Sequence, residues 1–420
     1  MTYQFTTLGA IIGLAVAIFL IIKKVQPAYS LILGALVGGI AGGGGLLLTV
    51  STMISGSQGM MSSVLRIITS GILAGTLIKT GSAEKIAEVI VTKLGEKRAI
   101  ISIAIATMII CSVGVFIDIA VITVAPIALA IGKKAGYNKA AVLLAMIGGG
   151  KAGNIISPNP NTIAVSEAFQ INLTSMMMKN IIPAIVALIV TIILAYLLAK
   201  KKDEGITDSD LELHAEKVLP SFTAAVSGPL IVVLLLALRP ICNIAIDPLI
   251  ALPVGGIICA LATGHIAKFR EYAEFGLSKV IGVSVLLIGT GTIAGIIKAS
   301  SLQIDVVKML ELLNMPAFVL APIAGILMAG ATASTTAGST IASQTFSSTL
   351  TGAGIPAISA GAMIHTGATV IDSLPHGSFF HATGGAANMN IKNRLRIIPY
   401  EACVGLSSTV ASVILYLLGL

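Results

Sequence analysis

The chain has 420 residues, 56% hydrophobic and 10% charged, and a mean hydropathy of +1.00. These values exclude a water-soluble domain and point to a polytopic membrane protein. Its net charge of +8 falls in short loops between apolar runs and not on one polar face, which argues against a nucleic-acid partner and for charge-directed membrane orientation.

The first apolar run, Leu8 to Ile22, has no basic leader and meets Lys23-Lys24 without a small-residue cleavage site. It reads as a retained span that starts outside. Ala28 to Val50 reads as a second span, whose glycines suit close helix packing or an oligomer contact. A third span runs from Ser63 to Lys79, followed by an amphipathic piece, Ala83 to Leu94, suited to a membrane surface. Ala99 to Ile131 is too long for one span and too short for two of about 20 residues each. Lys97-Arg98 and Lys133-Lys134 bracket it, so a re-entrant hairpin is expected, with its tip near Ser112 to Asp118. In the next segment, 139–169, Pro158 and Pro160 each remove an amide donor and clash with the preceding turn. The backbone is expected to open there, at Ser157-Pro158-Asn159-Pro160-Asn161-Thr162. Ile181 to Ala199 then returns to Lys200-Lys201-Lys202 and a polar linker.

The second half reads as spans at 221–238, 244–264 and 277–298, an amphipathic piece from Leu302 to Leu313, and a second hairpin at 316–350. A second interrupted helix at 355–390 breaks at Ser373-Leu374-Pro375-His376-Gly377-Ser378, and a last span ends at Leu420. Cys111, Cys242, Cys259 and Cys403 all lie in apolar runs without ligand spacing, so they are expected to be buried small hydrophobes; no metal site and no cofactor are expected.

Separate elements recur at nearly equal displacement: Gly75 to Gly81 resembles Ala294 to Ser300, and Ala145-Met146-Ile147 matches Ala362-Met363-Ile364. One duplicated unit follows, with the copies inverted because an odd number of crossings separates them. The expected organisation is N-terminal scaffold spans at 1–62, a first repeat at 63–199, a cytoplasmic linker at 200–220, second scaffold spans at 221–264 and a second repeat at 277–420. With both termini outside, Lys and Arg fall on the inner side or its boundary. The exceptions are Arg66, Lys179, Arg239, Lys298 and Lys308 on the outer side, and Lys151 within the membrane.

The order hairpin, broken helix, linker, hairpin, broken helix resembles the gluconate:proton symporter (GntP) family of the ion transporter superfamily. Gly114-Val115-Phe116-Ile117-Asp118-Ile119 through Pro126 is similar to that family's first-hairpin pattern, and Asn154 to Ala164 to its proline-rich break. The chain departs from the family where Asn159-Pro160-Asn161-Thr162 replaces His-Pro-Gly-Pro, and where Pro375-His376-Gly377 replaces an Asn-Asp pair. The resemblance implies an all-α membrane fold of inverted repeats, a homodimer, and a scaffold holding a mobile domain that contains both hairpins. It also implies bacterial inner-membrane uptake of gluconate, related hydroxy acids or D-serine, usually with protons.

Half-helix starts expose amide donors that favour an anion. Ser157, Asn159, Asn161, Thr162, Ser334, Thr335, Thr336, Ser373, His376 and Ser378 are therefore the expected substrate contacts. Asp118, Asp372 and His365 are candidates for ion coupling. Asp118 is read either as the coupled carboxylate or as a cap of the hairpin, and Asp372 likewise as coupling group or helix cap. His376 and His381 add titratable groups near the second break, and Glu167 is placed towards the outer surface. Lys151 is read as neutralising an anionic substrate, pairing with an acid or snorkelling to the interface. The expected activity is import of a small hydroxylated carboxylate by proton symport with elevator-type alternating access. Sodium coupling or D-serine transport is the alternative. The rivals are a channel and an intramembrane enzyme using Asp372 and His376, or Ser373 as nucleophile.

Overall fold

The glycines at 42–45 end one helix and begin another. The computed structural model describes residues 5–95, 98–201, 203–211, 218–242, 244, 246–312 and 316–420. α1 (Thr7–Ile22) and α2 (Pro27–Ala41) form an antiparallel pair, with Gly9 against Gly42 and Gly13 against Gly38. α3 (Gly45–Gln58) leaves α2 through a turn in which Gly43 and Gly45 take φ values of +90° and +64°. The run Ala28 to Val50, expected as one span, is therefore two helices, because glycine reaches the left-handed region without a Cβ penalty.

α4 (Met61–Lys79) and α5 (Ser82–Leu94) lead into the first hairpin, α6 (Ala99–Ser112) and α7 (Ile117–Lys134). The first broken helix is α8 (Lys139–Asn154) and α9 (Pro160–Ala168), followed by α10 (Leu173–Lys179) and α11 (Ile181–Ala199). α12 (Phe222–Cys242), α13 (Pro248–Ala262), α14 (Phe269–Lys298) and α15 (Leu302–Leu312) open the second half. The second hairpin is α16 (Leu320–Thr332) and α17 (Thr335–Gly352), and the second broken helix is α18 (Ala357–Gly367) and α19 (Ser378–Ala386). α20 (Ile391–Leu395) and α21 (Ile398–Leu417) close the chain. α14 begins before the expected 277. Expectations for Lys97, Lys202, Leu313 and the middle of the linker, 212–217, lie outside the described residues.

Contacts repeat between the halves. α4 packs on α13 and α14, while α14 packs on α2 and α4; α8 packs on α6 and α11, as α18 does on α16 and α21. The exchange extends across the halves, with α7 against α19 and α17 against α9. α4 and α14 run antiparallel in backbone contact, since a Cβ on Gly71 would meet the Gly276 carbonyl and one on Gly75 would meet the Cα of Gly276. This contact admits only glycine and fixes α4 against α14. Among the described residues, the helical segments Met61–Lys79, Ile181–Ala199, Ile266–Lys298 and Ile391–Leu417 are long and apolar enough to cross a bilayer.

Charges expected in loops are drawn inward at one end of the bundle. Arg394 is buried, paired with Glu401, 3.2 Å from the Thr383 hydroxyl and 4.9 Å from the centre of the Phe380 ring. Cys111 and Cys259 are buried as expected, but Cys242 and Cys403 are exposed. Cys403 shares an outward face of α21 with exposed Leu406 and Val410.

The start of the linker is fastened to both repeats. Lys139 at the first residue of α8 reaches Glu204 at 2.8 Å, Asp210 at 2.9 Å and the Asn388 carbonyl at 3.2 Å, and Asn393 donates to Glu204 at 2.9 Å. The Lys139 hydrogen bond holds the Glu204 carboxyl below its usual range. Burial pushes Asp210 up, but the Thr207 amide and Lys139 outweigh it and hold it at about 2. Both carboxyls are depressed in the folded state, so their stabilisation is present above the ordinary carboxylate pKa and fades as pH falls towards the folded value. Asp210→Asn should therefore lower the melting temperature at pH 7, and the difference from the parent should close as pH falls from about 4 to about 2. A difference constant with pH would assign Asp210 a role that does not depend on its charge.

Candidate transport site

Two hairpin tips and two helix breaks meet at one cavity. The first tip turns at Gly114, with φ +107°, so that α7 starts at Ile117 with Asp118 in its first turn. The second turns at Ala333, whose φ of +47° is uncommon for a residue with a Cβ. Ser334 then caps α17 by accepting from the Ala337 amide at 3.2 Å. Gly377 in the second break lies against Ala333: a Cβ there would stand 2.6 Å from the Ala333 Cβ.

Asn159 starts α9. Its Oδ1 accepts from the Asn161 and Thr162 amides at 3.0 and 3.1 Å, and Pro160 occupies the first helical position, where its missing N–H is not needed. This cap fixes which way the Asn159 amide points. Its Nδ2 therefore donates to the Asn154 carbonyl at 2.9 Å and to Asn154 Oδ1 at 2.7 Å. Asn154 is oriented in turn: its Oδ1 is taken, and its buried Nδ2, in a side chain lining the cavity, has no partner among the described residues.

The cavity holds about 230 Å³. Its wall is made from the first turns of four helices: Ile117 to Ile119 of α7, Asn161 of α9, Thr335 and Thr336 of α17 after their cap Ser334, and Ser378 and Phe379 of α19. Phe116 at the cap of α7, Asn154, Asp372, and Lys279 and Val283 of α14 complete it. The Thr336 hydroxyl bonds Asn161, joining the second hairpin to the first break. Asp372 is saturated. Its Oδ1 accepts from Lys151 at 2.5 Å and Ser373 at 3.0 Å, and its Oδ2 from Thr335 at 2.5 Å. Asp118 and Lys279 form no ion pair among the described residues; the Lys279 ammonium lies 5.1 Å from the centre of the Phe275 ring.

Of the expected contacts, Asn161, Ser334, Thr335, Thr336, Ser378, Asp118 and Asp372 reach the cavity. Ser157, Asn159, Thr162, Ser373, His376 and His365 do not line it. Asn159 and Thr162 build the cap of α9, the Thr162 hydroxyl lying 3.3 Å from Asn159 Oδ1, and Ser157 is buried without a partner among the described residues. His376 bonds the Ala331 carbonyl at 3.2 Å and His381 the Pro375 carbonyl at 2.8 Å, tying the second break to the hairpin tip and to itself. His365 is buried on α18, its Nδ1 3.3 Å from the Asn180 amide. Asp372 and His376 form no acid-base pair, since each has other partners. Glu167 pairs with Arg66 at 2.5 Å, and Arg66 with Asp247 at 2.6 Å, which joins the end of α9 to α4 and to the start of α13. Asn154, Lys279, Phe116 and Phe379 were not expected. Lys279 had a signal, a lone cation between apolar residues of a long helix.

A cavity at the crossing of inverted hairpins and broken helices defines a membrane transporter and not an enzyme. Residues 5–420 match the family described as GntP family permease, and the chain belongs to it. It is 53% identical over 414 residues to an uncharacterized transporter of Haemophilus influenzae, covering 98% of each chain. It is 23% identical to the high-affinity gluconate transporter of Escherichia coli, covering 68% of each chain. Its fold matches the crystal structure of the Alcanivorax borkumensis YdaH transporter with a TM-score of 0.69 at 15% identity, covering 88% of each chain.

Gly377→Val should push the second hairpin tip off the second break, lowering ligand affinity at least tenfold while the protein still inserts and purifies. The check is ligand-induced thermal stabilisation; an unchanged affinity would remove the Ala333–Gly377 contact from the site.

Proposed function

We infer that this chain is a secondary active permease for a small hydroxylated monocarboxylate, gluconate or a related hydroxy acid, working by elevator-type alternating access. The observation that carries the reading is the convergence of four helix N-termini on one cavity. Each helix start carries roughly half a positive charge, which favours an anion, while the first amides of α9 are taken by its Asn159 cap. The Asn154 amide and the hydroxyls of Ser334, Thr336 and Ser378 suit a polyhydroxy chain, and Lys279 suits its carboxylate. The E. coli relative's name supports gluconate. Both hairpins and both breaks would move as one body against α4 and α14, with the Arg66–Glu167 pair breaking on that movement. Homodimer assembly and placement in the bacterial inner membrane with both termini outside belong to the same reading.

Asp118 is the candidate for the coupled proton, being an ionisable cavity residue without an ion-pair partner among the described residues. The same observation favours a second reading: with Lys279 opposite in charge, Asp118 would receive the ammonium of a zwitterion such as D-serine.

Proteoliposome uptake separates these readings. A gluconate permease should accumulate gluconate uphill under an inward proton gradient, and Lys279→Ala should raise its KM about tenfold, consistent with about 1.5–3 kcal/mol for a hydrogen bond to a charged group. Asp118→Asn should abolish accumulation while leaving exchange. Preference for D-serine over gluconate, lost in Asp118→Asn together with exchange, would establish the zwitterion reading instead; equilibration without accumulation would indicate a channel. For orientation, in a protein with Cys242 and Cys403 replaced, a cysteine at Asn172 should label from outside and one at Asp208 only after the reagent enters the cell. The reverse pattern would overturn the orientation.

A further inference from the structure

The four helix starts at the cavity have a counterpart behind it. α8 ends before α9 begins and α18 before α19, and helix ends carry the opposite partial charge. Lys151 lies in the last turn of α8. Its ammonium reaches across to the second break and stands 2.5 Å from the Thr369 carbonyl and 2.5 Å from Asp372 Oδ1. Both side chains are almost completely enclosed, at 1% and 2% exposure. A backbone carbonyl freed by a broken helix, a carboxylate oxygen and a helix end together form the donor set that holds an alkali cation in a membrane protein.

The two breaks differ here despite the repeat. In the first break, the Asn154 carbonyl accepts from a neutral amide, Asn159 Nδ2. Only the second break carries a carboxylate, and the first repeat supplies its counter-charge. Asp372 is also the anchor of the second hairpin through Thr335, so the cation at this point governs how that tip is held.

We propose that Lys151 is a built-in cation of the transport site, occupying the oxygen donors of the second break that a dissociable sodium ion would otherwise take. A second cation at these donors would face the ammonium at contact distance in an enclosed site, where Coulomb repulsion is scarcely screened. Sodium is therefore excluded from this break, and the second hairpin stays anchored without any ion from solution. The first repeat thereby sets the charge of the second repeat's break.

The test uses the purified full-length protein and Lys151→Ala, melted in sodium, methylammonium or choline chloride at equal ionic strength. The parent should melt at the same temperature in all three. Lys151→Ala should melt lower in choline and recover by several degrees in sodium or methylammonium, because a ligand that binds only the folded state stabilises it. The pair Lys151→Ala with Asp372→Asn should lose that selectivity. Sodium-specific stabilisation of the parent, or identical melting of Lys151→Ala in all three salts, overturns the proposal. Should Lys151→Ala fail to purify in any salt, the parent decides the matter: its melting and ligand affinity must be unchanged when choline replaces sodium. The melting measurements need no substrate, so they stand or fall apart from the gluconate reading. Uptake by the parent, which does rest on that reading, should be equal with sodium or choline on both sides.

Discussion

A peptide group left unpaired in hydrocarbon costs several kcal/mol, and this fold interrupts its helical backbone four times inside the protein, at two tips and two breaks. The arrangement persists because each interruption is satisfied locally. Asn159 and Ser334 cap helix starts, Asn180 donates to the Ile155 carbonyl at 3.0 Å, and Lys151 takes the Thr369 carbonyl. Of the buried side-chain groups left unpaired among the described residues, Asn154 Nδ2 belongs to the cavity wall. α4 and α14 do the opposite, meeting backbone to backbone at glycines.

Most of the architecture was legible in the sequence because the signals were physical exclusions. A run too long for one crossing and bracketed by charge had to double back, and prolines within an apolar segment had to open it. The division at the glycine run was not legible, since consecutive glycines are equally compatible with a flexible span and a turn. Arg394 misled for a related reason: its pairing with Glu401 buries a charge whose place in the sequence suggests a loop.

The site was legible by position and less so by role. The two proline-marked stretches do sit at the cavity, yet Asn159, Thr162, Ser373 and His376 serve the backbone and one another there. Sequence identifies where polar side chains accumulate but not which of them the cap requirement consumes first. Asn154 is the converse case. It lies three residues before the marked stretch, and only the cap of α9 decides that its amide nitrogen is the group left over. Lys279 was counted among inner-side charges because a cation near a helix end normally orients the protein; the contact of α14 with the second hairpin, α17, carries it to the cavity instead.

The positive wall of the cavity is made of main chain, and that has an evolutionary consequence. Amides at helix starts are present whatever residue other than proline occupies the position, so on the anion reading proposed above, exchange of Ser334, Thr336, Ser378 or Phe379 would alter shape and hydrogen bonding while the preference for negative charge endured. Substrate range can then drift by single substitutions without passing through a variant that has lost its hold on anions. On that reading, a lineage built on this cavity would be free to change which acid it recognises far more readily than to stop recognising acids.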